Sequence, residues 1–333
     1  MNFKKFSKKF MKFAVVASVL VLAGGVLGGC GSTGLSNGSS SSSKVEKKAP
    51  KDLKIGVSVS TLTNPAFVNL KNVISNYAKK HGSKVIVDDA NNDTSKQNND
   101  VEDLINQKVD ALIINPCDSS AISAVVKKAN EANIPVVCVD RSADSGKVVS
   151  TVASDNVAGG KMAANWMVKQ LGKNAKIAEL QGIPGASATR ERGKGFDSIG
   201  DKQLNIVSKQ TAQFDRAKAL SVTENILQAH GDIKGIFAQN DEEAIGAARA
   251  VVKSANKKVT IIGFDGALAC LNLIQKGQVN ATVGQQWNKI GQESVRMVYD
   301  HYQNKKAPKN DKVPVKIVTK KNVNSFKKQV YNK

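Results

Sequence analysis

The sequence predicts an α/β protein with two parallel sheets of five or six strands and a crevice between them. Three observations predict it. First, seven apolar runs rich in strand-forming residues alternate with stretches that repeat apolar residues at helical spacing, from residue 53 to about 305. Continuous apolar runs mark strands covered by helices on both faces, and alternation of this length means right-handed βαβ units. Second, about 280 residues follow an N-terminal leader, enough for two domains of ordinary size. Ten or so strands are too many for one core of this size, so two sheets fit better. Third, every run stops at a polar residue.

In chain order, the run IGVSVS ends at Ser60, and a helix is predicted over 66–81, opened by Pro65 and closed by Gly82. A helix over 95–107 precedes ALIINP, which ends at Asn115, and another over 119–132 starts behind Asp118-Ser119. PVVCVDR ends at Asp140-Arg141. Asp155-Asn156 then opens a helix over 156–171, closed by Gly172. IAELQG ends at Gln181. Asp215 opens a helix over 216–229, with Gly231 beyond its end. GIFAQN ends at Asn240 and leads into a helix over 242–255. TIIGFD ends at Asp265, and ATVGQ ends at Gln285, before a helix over 287–303. In open α/β sheets ligands bind beyond the carboxyl ends of strands. Polar residues repeated at those ends point to a small polar ligand with little or no charge.

The leader is read separately. Lys4, Lys5, Lys8, Lys9 and Lys12 form a basic region before an apolar stretch, Phe13 to Leu27, that is short for a membrane span. Leu27-Gly28-Gly29-Cys30 resembles a bacterial lipobox. A signal peptide over 1–29, a lipid-modified Cys30 and a flexible Gly/Ser/Lys tether over 30–51 are therefore expected. Together they place the folded part outside the cell, lipid-anchored to the cell membrane.

The formal charge is +21, and removal of a signal with five lysines and no acid leaves about +16. The lysines are scattered over helices and the tail, with no aromatic-interleaved basic stripe, so nucleic acid is not an expected partner. Cys117, Cys138 and Cys270 are spaced for neither a disulfide framework nor zinc. Cys138, inside an apolar run, is read as a small core residue. Cys117, after Pro116, is read as unreactive. His81, His230 and His301 sit at helix ends or on polar stretches, where they form neither a triad nor a metal set. There is no Walker A motif and no Gly-x-Ser-x-Gly, and Gly182-Ile-Pro-Gly185 lacks dinucleotide-binding spacing. No enzyme, cofactor or metal site is expected. A ligand-responsive repressor would need a helix-turn-helix before residue 53, where this chain carries a lipobox and a serine tether.

Nine segments, in order, carry a resemblance: Ser60–Pro65, Ile113–Pro116, Asn133–Val137, Asp140-Arg141, Ala153–Val157, Glu179–Gly182, Arg190–Gly193, Phe237–Asp241 and Gly263–Gly266. From about Leu53 to Thr319 the chain resembles bacterial ribose-binding proteins. They are the pentose- and hexose-binding branch of the periplasmic-binding-protein-like type I fold. The resemblance implies two Rossmann-like domains joined by a three-segment hinge and closing on a monosaccharide for an ABC importer. The hinge crossings are expected near Ser154-Asp155, Gln285-Gln286 and Pro314-Val315. The lobes are then 52–154 plus 286–314 and 155–285 plus 315–333, in a monomer.

Carried over residue by residue, the resemblance implies a site of Ser60, Asn64, Phe67, Asp140 and Arg141 from the first lobe. Arg192, Phe214, Asn240 and Asp265 come from the second, with Gln285 at a hinge crossing. The chemistry stands by itself: a pyranose hydroxyl both donates and accepts, Asp accepts, Arg donates through a rigid fork, and Asn and Gln do both. Phe67 and Phe214 would sandwich the C–H faces of the ring. The sequence departs from the family at Ala66, where its ribose binders usually carry a second aromatic residue, which opens space beside the sugar. Trp287 is read as packing. D-ribose is the expected ligand. The alternatives are allose or another hexose in the same role, or a sugar sensor that presents its ligand to a membrane receptor.

Overall fold

A computed structural model describes residues 46–254 and 258–331. The expected signal peptide 1–29 and Cys30 lie outside the described residues, as does most of the tether. The first half of the chain runs β1 (Lys54–Val59), α1 (Pro65–Lys80), β2 (Lys84–Asp89), α2 (Thr94–Asn106), β3 (Ala111–Ile114), α3 (Ser123–Glu131), β4 (Val136–Val139) and β5 (Ser150–Ser154). Next come α4 (Asn156–Leu171), β6 (Lys176–Gln181), α5 (Ser187–Gln203), β7 (Asn205–Thr211), α6 (Arg216–Ala229), β8 (Gly235–Ala238), α7 (Asp241–Lys253), β9 (Thr260–Asp265), α8 (Leu268–Lys276) and β10 (Ala281–Gly284). The chain ends with α9 (Trp287–Tyr302), β11 (Asn310–Val313), β12 (Lys316–Thr319) and α10 (Val323–Tyr331).

The strands form two sheets of six, in the orders β2-β1-β3-β4-β5-β11 and β7-β6-β8-β9-β10-β12. Neighbouring strands are parallel except β12, which runs antiparallel to β10. The predicted α/β class with two sheets is what the chain adopts, with that one antiparallel edge added. The chain passes between the sheets after β5, after β10 and after β11. In each sheet the strand order reverses beside the strand that opens it, β1 or β6. Ligand crevices form at such reversals, off the carboxyl ends.

Period-two alternation gives each strand two apolar faces. On β1, Ile55, Val57 and Val59 pack with Leu70, Ile74, Ile290 and Val298 of α1 and α9. On the other face of the same sheet, Leu112, Ile114, Val136 and Cys138 meet Val101, Leu104, Val125 and Val126 of α2 and α3. The second sheet repeats the plan, with Ile236 and Ala238 toward α6–α8 and Phe237, Ile262 and Phe264 toward α4 and α5. Five helices start where a side-chain oxygen accepts a first-turn N–H: Asn64, Asp93, Asp155, Asp215 and Asn240. Such caps stabilise a helix by about 0.5–2 kcal/mol each.

Helices α5, α8 and α10 are not among those expected, and α3 starts at Ser123 rather than directly behind Asp118-Ser119. The glycine-rich α5 has no continuous apolar stripe, because Gly193, Gly195 and Gly200 occupy its packed side. The tether ends before residue 51. Lys48 pairs with Asp110 at 2.6 Å, the Pro50 carbonyl accepts from Ser83 Oγ at 2.7 Å, and Pro50–Asp52 form a 3₁₀ turn. The tail beyond Asn322 is α10, whose Val323, Phe326 and Val330 are buried in the second core.

Candidate functional site

The strand ends converge on a recess between the two sheets. The β1–α1 turn brings Asn64 and Phe67, and the end of β4 brings Asp140 and Arg141. Opposite them, α5 contributes Ala188 and Arg192, and the β7–α6 turn contributes Phe214. Asn240 lies after β8, Asp265 ends β9, and Trp287 begins α9. Above the recess, loops of the two sheets meet. Ser119 N–H donates to the Gly185 carbonyl at 3.0 Å, Ser142 N–H to Ser187 Oγ at 2.9 Å, and Arg190 Nη2 to Asp144 Oδ1 at 3.0 Å. The arrangement is closed.

Its charged groups are buried but incompletely paired. Asp140 is 2% exposed and Arg141 3%. Their ion pair is loose, with Arg141 Nε 3.7 Å from Asp140 Oδ2, and Arg141 Nη1 donates to the Pro116 carbonyl at 3.0 Å. Asp140 Oδ1 and Arg141 Nε have no hydrogen-bond partner. A buried group left so costs about 1–3 kcal/mol or more when charged, which a ligand hydroxyl would recover. The Arg141 guanidinium lies 5.2 Å from the Phe67 ring centre and 5.4 Å from that of Phe214. Arg192 is held more firmly. Its Nε donates to Asn156 Oδ1 at 2.9 Å and its Nη1 to the Gln239 carbonyl at 2.7 Å, with Asp265 Oδ1 3.6 Å away.

The backbone here is strained. Asp140 has φ +64°, Phe214 +59° and Asp265 +136°. Such conformations cost about 1–3 kcal/mol each for non-glycine residues and cluster where function demands a particular side-chain direction.

Eight expected site residues line the recess; Ser60 and Gln285 do not. Both are completely buried one layer behind it. The β1–β3 register sets Ser60 beside Asn115, whose Oδ1 accepts from Ser60 Oγ at 2.6 Å and whose Nδ2 reaches Asp140 Oδ2 at 3.5 Å. Gln285 Nε2 donates to Asp265 Oδ1 at 2.7 Å, and its Oε1 accepts from Ser154 Oγ at 2.6 Å. Strand pairing satisfies these two side chains, so they orient the carboxylates rather than face the space between the sheets. Trp287, expected only to pack, also lines the recess, edge-on to Phe67 at 6.0 Å, with its N–H on the Asp265 carbonyl. Its signal was its place two residues after Gln285. Ala188 had no sequence signal, and Asn156 and Gln239 lay inside resemblance segments without being singled out as site residues. Ala66 is 2% exposed, belongs to the first core and does not line the recess. Cys117 is buried, and burial pushes its thiol up to about 11, so little thiolate forms.

Burial raises the Asp140 and Asp265 carboxyls above the usual carboxylate range, against the pull of Arg192. Hydroxyls donating to these carboxylates favour the charged form and lower the values in a complex. Ligand binding is then coupled to proton release. Affinity is full above the ligand-free values and is lost as pH falls through the bound-state values. Ligand-free stability runs the other way: the folded state holds protons that the unfolded chain has released, so stability falls as pH rises from about 4 through the raised values. Titration calorimetry at pH 5 and pH 8, in buffers of different ionisation enthalpy, is expected to show weaker binding at pH 5 and net proton release. Equal affinity without proton release would contradict this account.

Two α/β lobes closed over a recess of carboxylates, guanidinium groups and aromatic rings define an extracytoplasmic solute-binding protein rather than an enzyme. Residues 55–306 match the model of the periplasmic binding protein domain, and the chain belongs to that family. It is 54% identical over 271 residues to the ribose import binding protein of Bacillus subtilis, covering 81% of this chain and 88% of that one. With the Escherichia coli ribose import binding protein it shares 42% identity over 267 residues, 80% of this chain and 90% of that one. Among solved structures, an ABC transporter periplasmic solute binding protein from Actinobacillus succinogenes with bound D-allose superposes with a TM-score of 0.77. It is 29% identical and covers 82% of this chain and 99% of its own.

Proposed function

We propose that this protein captures D-ribose outside the cell and delivers it to an ABC importer. The observation that carries this reading is the pair of unpartnered polar atoms, Asp140 Oδ1 and Arg141 Nε, in a recess flanked by Phe67 and Phe214. An acceptor and a donor side by side match a sugar hydroxyl, and the rings match the C–H faces of a pyranose. Asn64, Phe67, Asp140, Arg141, Arg192, Phe214, Asn240 and Asp265 are the proposed contacts, oriented by Ser60 and Gln285. Ribose is favoured because relatives named for ribose import reach 54% identity. A D-allose-binding periplasmic protein of Escherichia coli, 31% identical, and the solved relative with bound D-allose support allose as the second reading.

The lobes proposed are 52–154 plus 286–314 and 155–285 plus 315–333, hinged at the three passages of the chain between sheets. Sugar touches both lobes only when they close, so it shifts the population toward the closed form, which the importer reads. A panel of pentoses and hexoses in thermal unfolding tests the reading. At 100 times its dissociation constant the true ligand adds about 2.7 kcal/mol. Stabilisation by allose and not ribose would move the assignment, and stabilisation by no sugar would end it.

The membrane anchor belongs to the same proposal. Cys30→Ala is expected to release the protein into the medium or leave it unprocessed, because acyl chains supply the membrane affinity. Fractionation with membranes like wild type would remove lipid modification from the reading.

A further inference from the structure

Two backbone N–H groups beside the recess converge on one carboxylate. Glu243, on the first turn of α7, accepts from Phe214 N–H at 2.9 Å through Oε1 and from Asn240 N–H at 3.2 Å through Oε2. Glu243 N–H donates back to Asn240 Oδ1 at 2.8 Å, and Asn240 Nδ2 reaches the Phe214 carbonyl at 3.4 Å. Glu243 itself has no exposed surface and does not line the recess.

The bond to Asn240 is explained by helix capping, since Glu or Gln at this position of a capping box does that work equally. The bond to Phe214 is not. It reaches across 29 positions of chain to a turn in which Gln213 (φ +56°) and Phe214 (φ +59°) are consecutive left-handed residues, neither of them glycine. Local preference does not favour that conformation, so tertiary contacts must hold it.

We propose that Glu243 is a positioning residue for ligand binding. Its two carboxylate oxygens tie the Phe214 turn to the Asn240 cap, so that the ring and the amide enter the recess at a set separation. The proposal rests on the reading of the recess as a sugar site.

Glu243→Gln separates this role from capping. A glutamine keeps one acceptor, enough for the capping box, and turns an NH₂ toward the other N–H. If Glu243 only caps α7, ribose affinity and Phe214 amide exchange stay as in wild type, and the proposal falls. If it positions the turn, Phe214 amide exchange in the ligand-free protein rises about tenfold while the Ile245–Val251 amides keep their protection. The ribose dissociation constant rises about tenfold as well, the consequence of one unsatisfied buried donor. Faster exchange with unchanged ribose affinity also overturns the proposal, because the tie would then not reach the ligand. Glu243→Asp, one methylene short of spanning both N–H groups, is expected to reproduce the exchange result and serves if the glutamine variant folds poorly. If wild type binds no monosaccharide, the sugar reading fails by itself. The exchange measurement, made without sugar, still decides whether Glu243 holds the turn.

Discussion

Asp140→Ala and Arg192→Ala are each expected to weaken ribose binding by about a hundredfold or more while the lobes stay folded. Each removes charge-assisted hydrogen bonds worth about 1.5–3 kcal/mol apiece in a closed, dry recess. Each also strands a partner. Without Asp140, Arg141 Nε loses its nearest carboxylate. Without Arg192, Asp265 loses the cation 3.6 Å away, and Asn156 and the Gln239 carbonyl lose their donor. Removing one member of a buried pair leaves an uncompensated charge, and this penalty exceeds the bonds themselves. Arg192 lies on α5, whose close approach to α4 is made by backbone at Gly160 and Gly195; its side chain adds a single hydrogen bond to α4, at Asn156, so the unfolding temperature is expected to fall far less than the affinity. Titration calorimetry that found either variant binding as tightly as wild type would take that residue out of the site.

The second large effect is expected at a residue with no side chain. Helices α4 and α5 approach so closely that a Cβ on Gly160 would lie 2.2 Å from the Arg192 carbonyl oxygen and 2.7 Å from the Phe196 nitrogen. The contact is reciprocal, because a Cβ on Gly195 would lie 2.2 Å from the Val157 carbonyl oxygen. Two terms compete in Gly160→Ala. Alanine raises helix propensity by about 1 kcal/mol. Against it stands a clash with backbone, which no rotamer change relieves, so the helices must separate. Overpacking of this kind typically costs about 1–3 kcal/mol and occasionally more, and here it also moves the backbone that carries Arg192. The clash is expected to win. The unfolding temperature should fall by several degrees, at about 2–4 °C per kcal/mol for a protein of this size, and ribose affinity should drop with it. A Gly160→Ala variant with raised stability and wild-type affinity would mean that the helices separate freely.

Much of this was legible in one dimension. A buried strand is a run of apolar residues and its carboxyl end is where the run stops, so Asp140, Arg141, Asn240 and Asp265 could be picked from sequence, and they meet in one recess. Pro65, Asp155 and Asp215 announced helix starts because the signals that begin a helix are local, within its first turn. What the tertiary structure decided depends on neighbours distant in sequence. Ser60 and Gln285 end strands just as Asp265 does, yet pairing with Asn115 and with Asp265 itself satisfies them one layer behind the recess. Helix α5 has no continuous apolar stripe to find, because glycines interrupt its packed side, and the value of one of them, Gly195, lies in the approach of α4. Trp287 reads as a core residue by composition, and only the passage of the chain after β10 puts one edge of it against Phe67. Sequence period determines which face of an element is apolar; which side chain meets a ligand is decided by the register and separation of elements that the chain brings together from far apart.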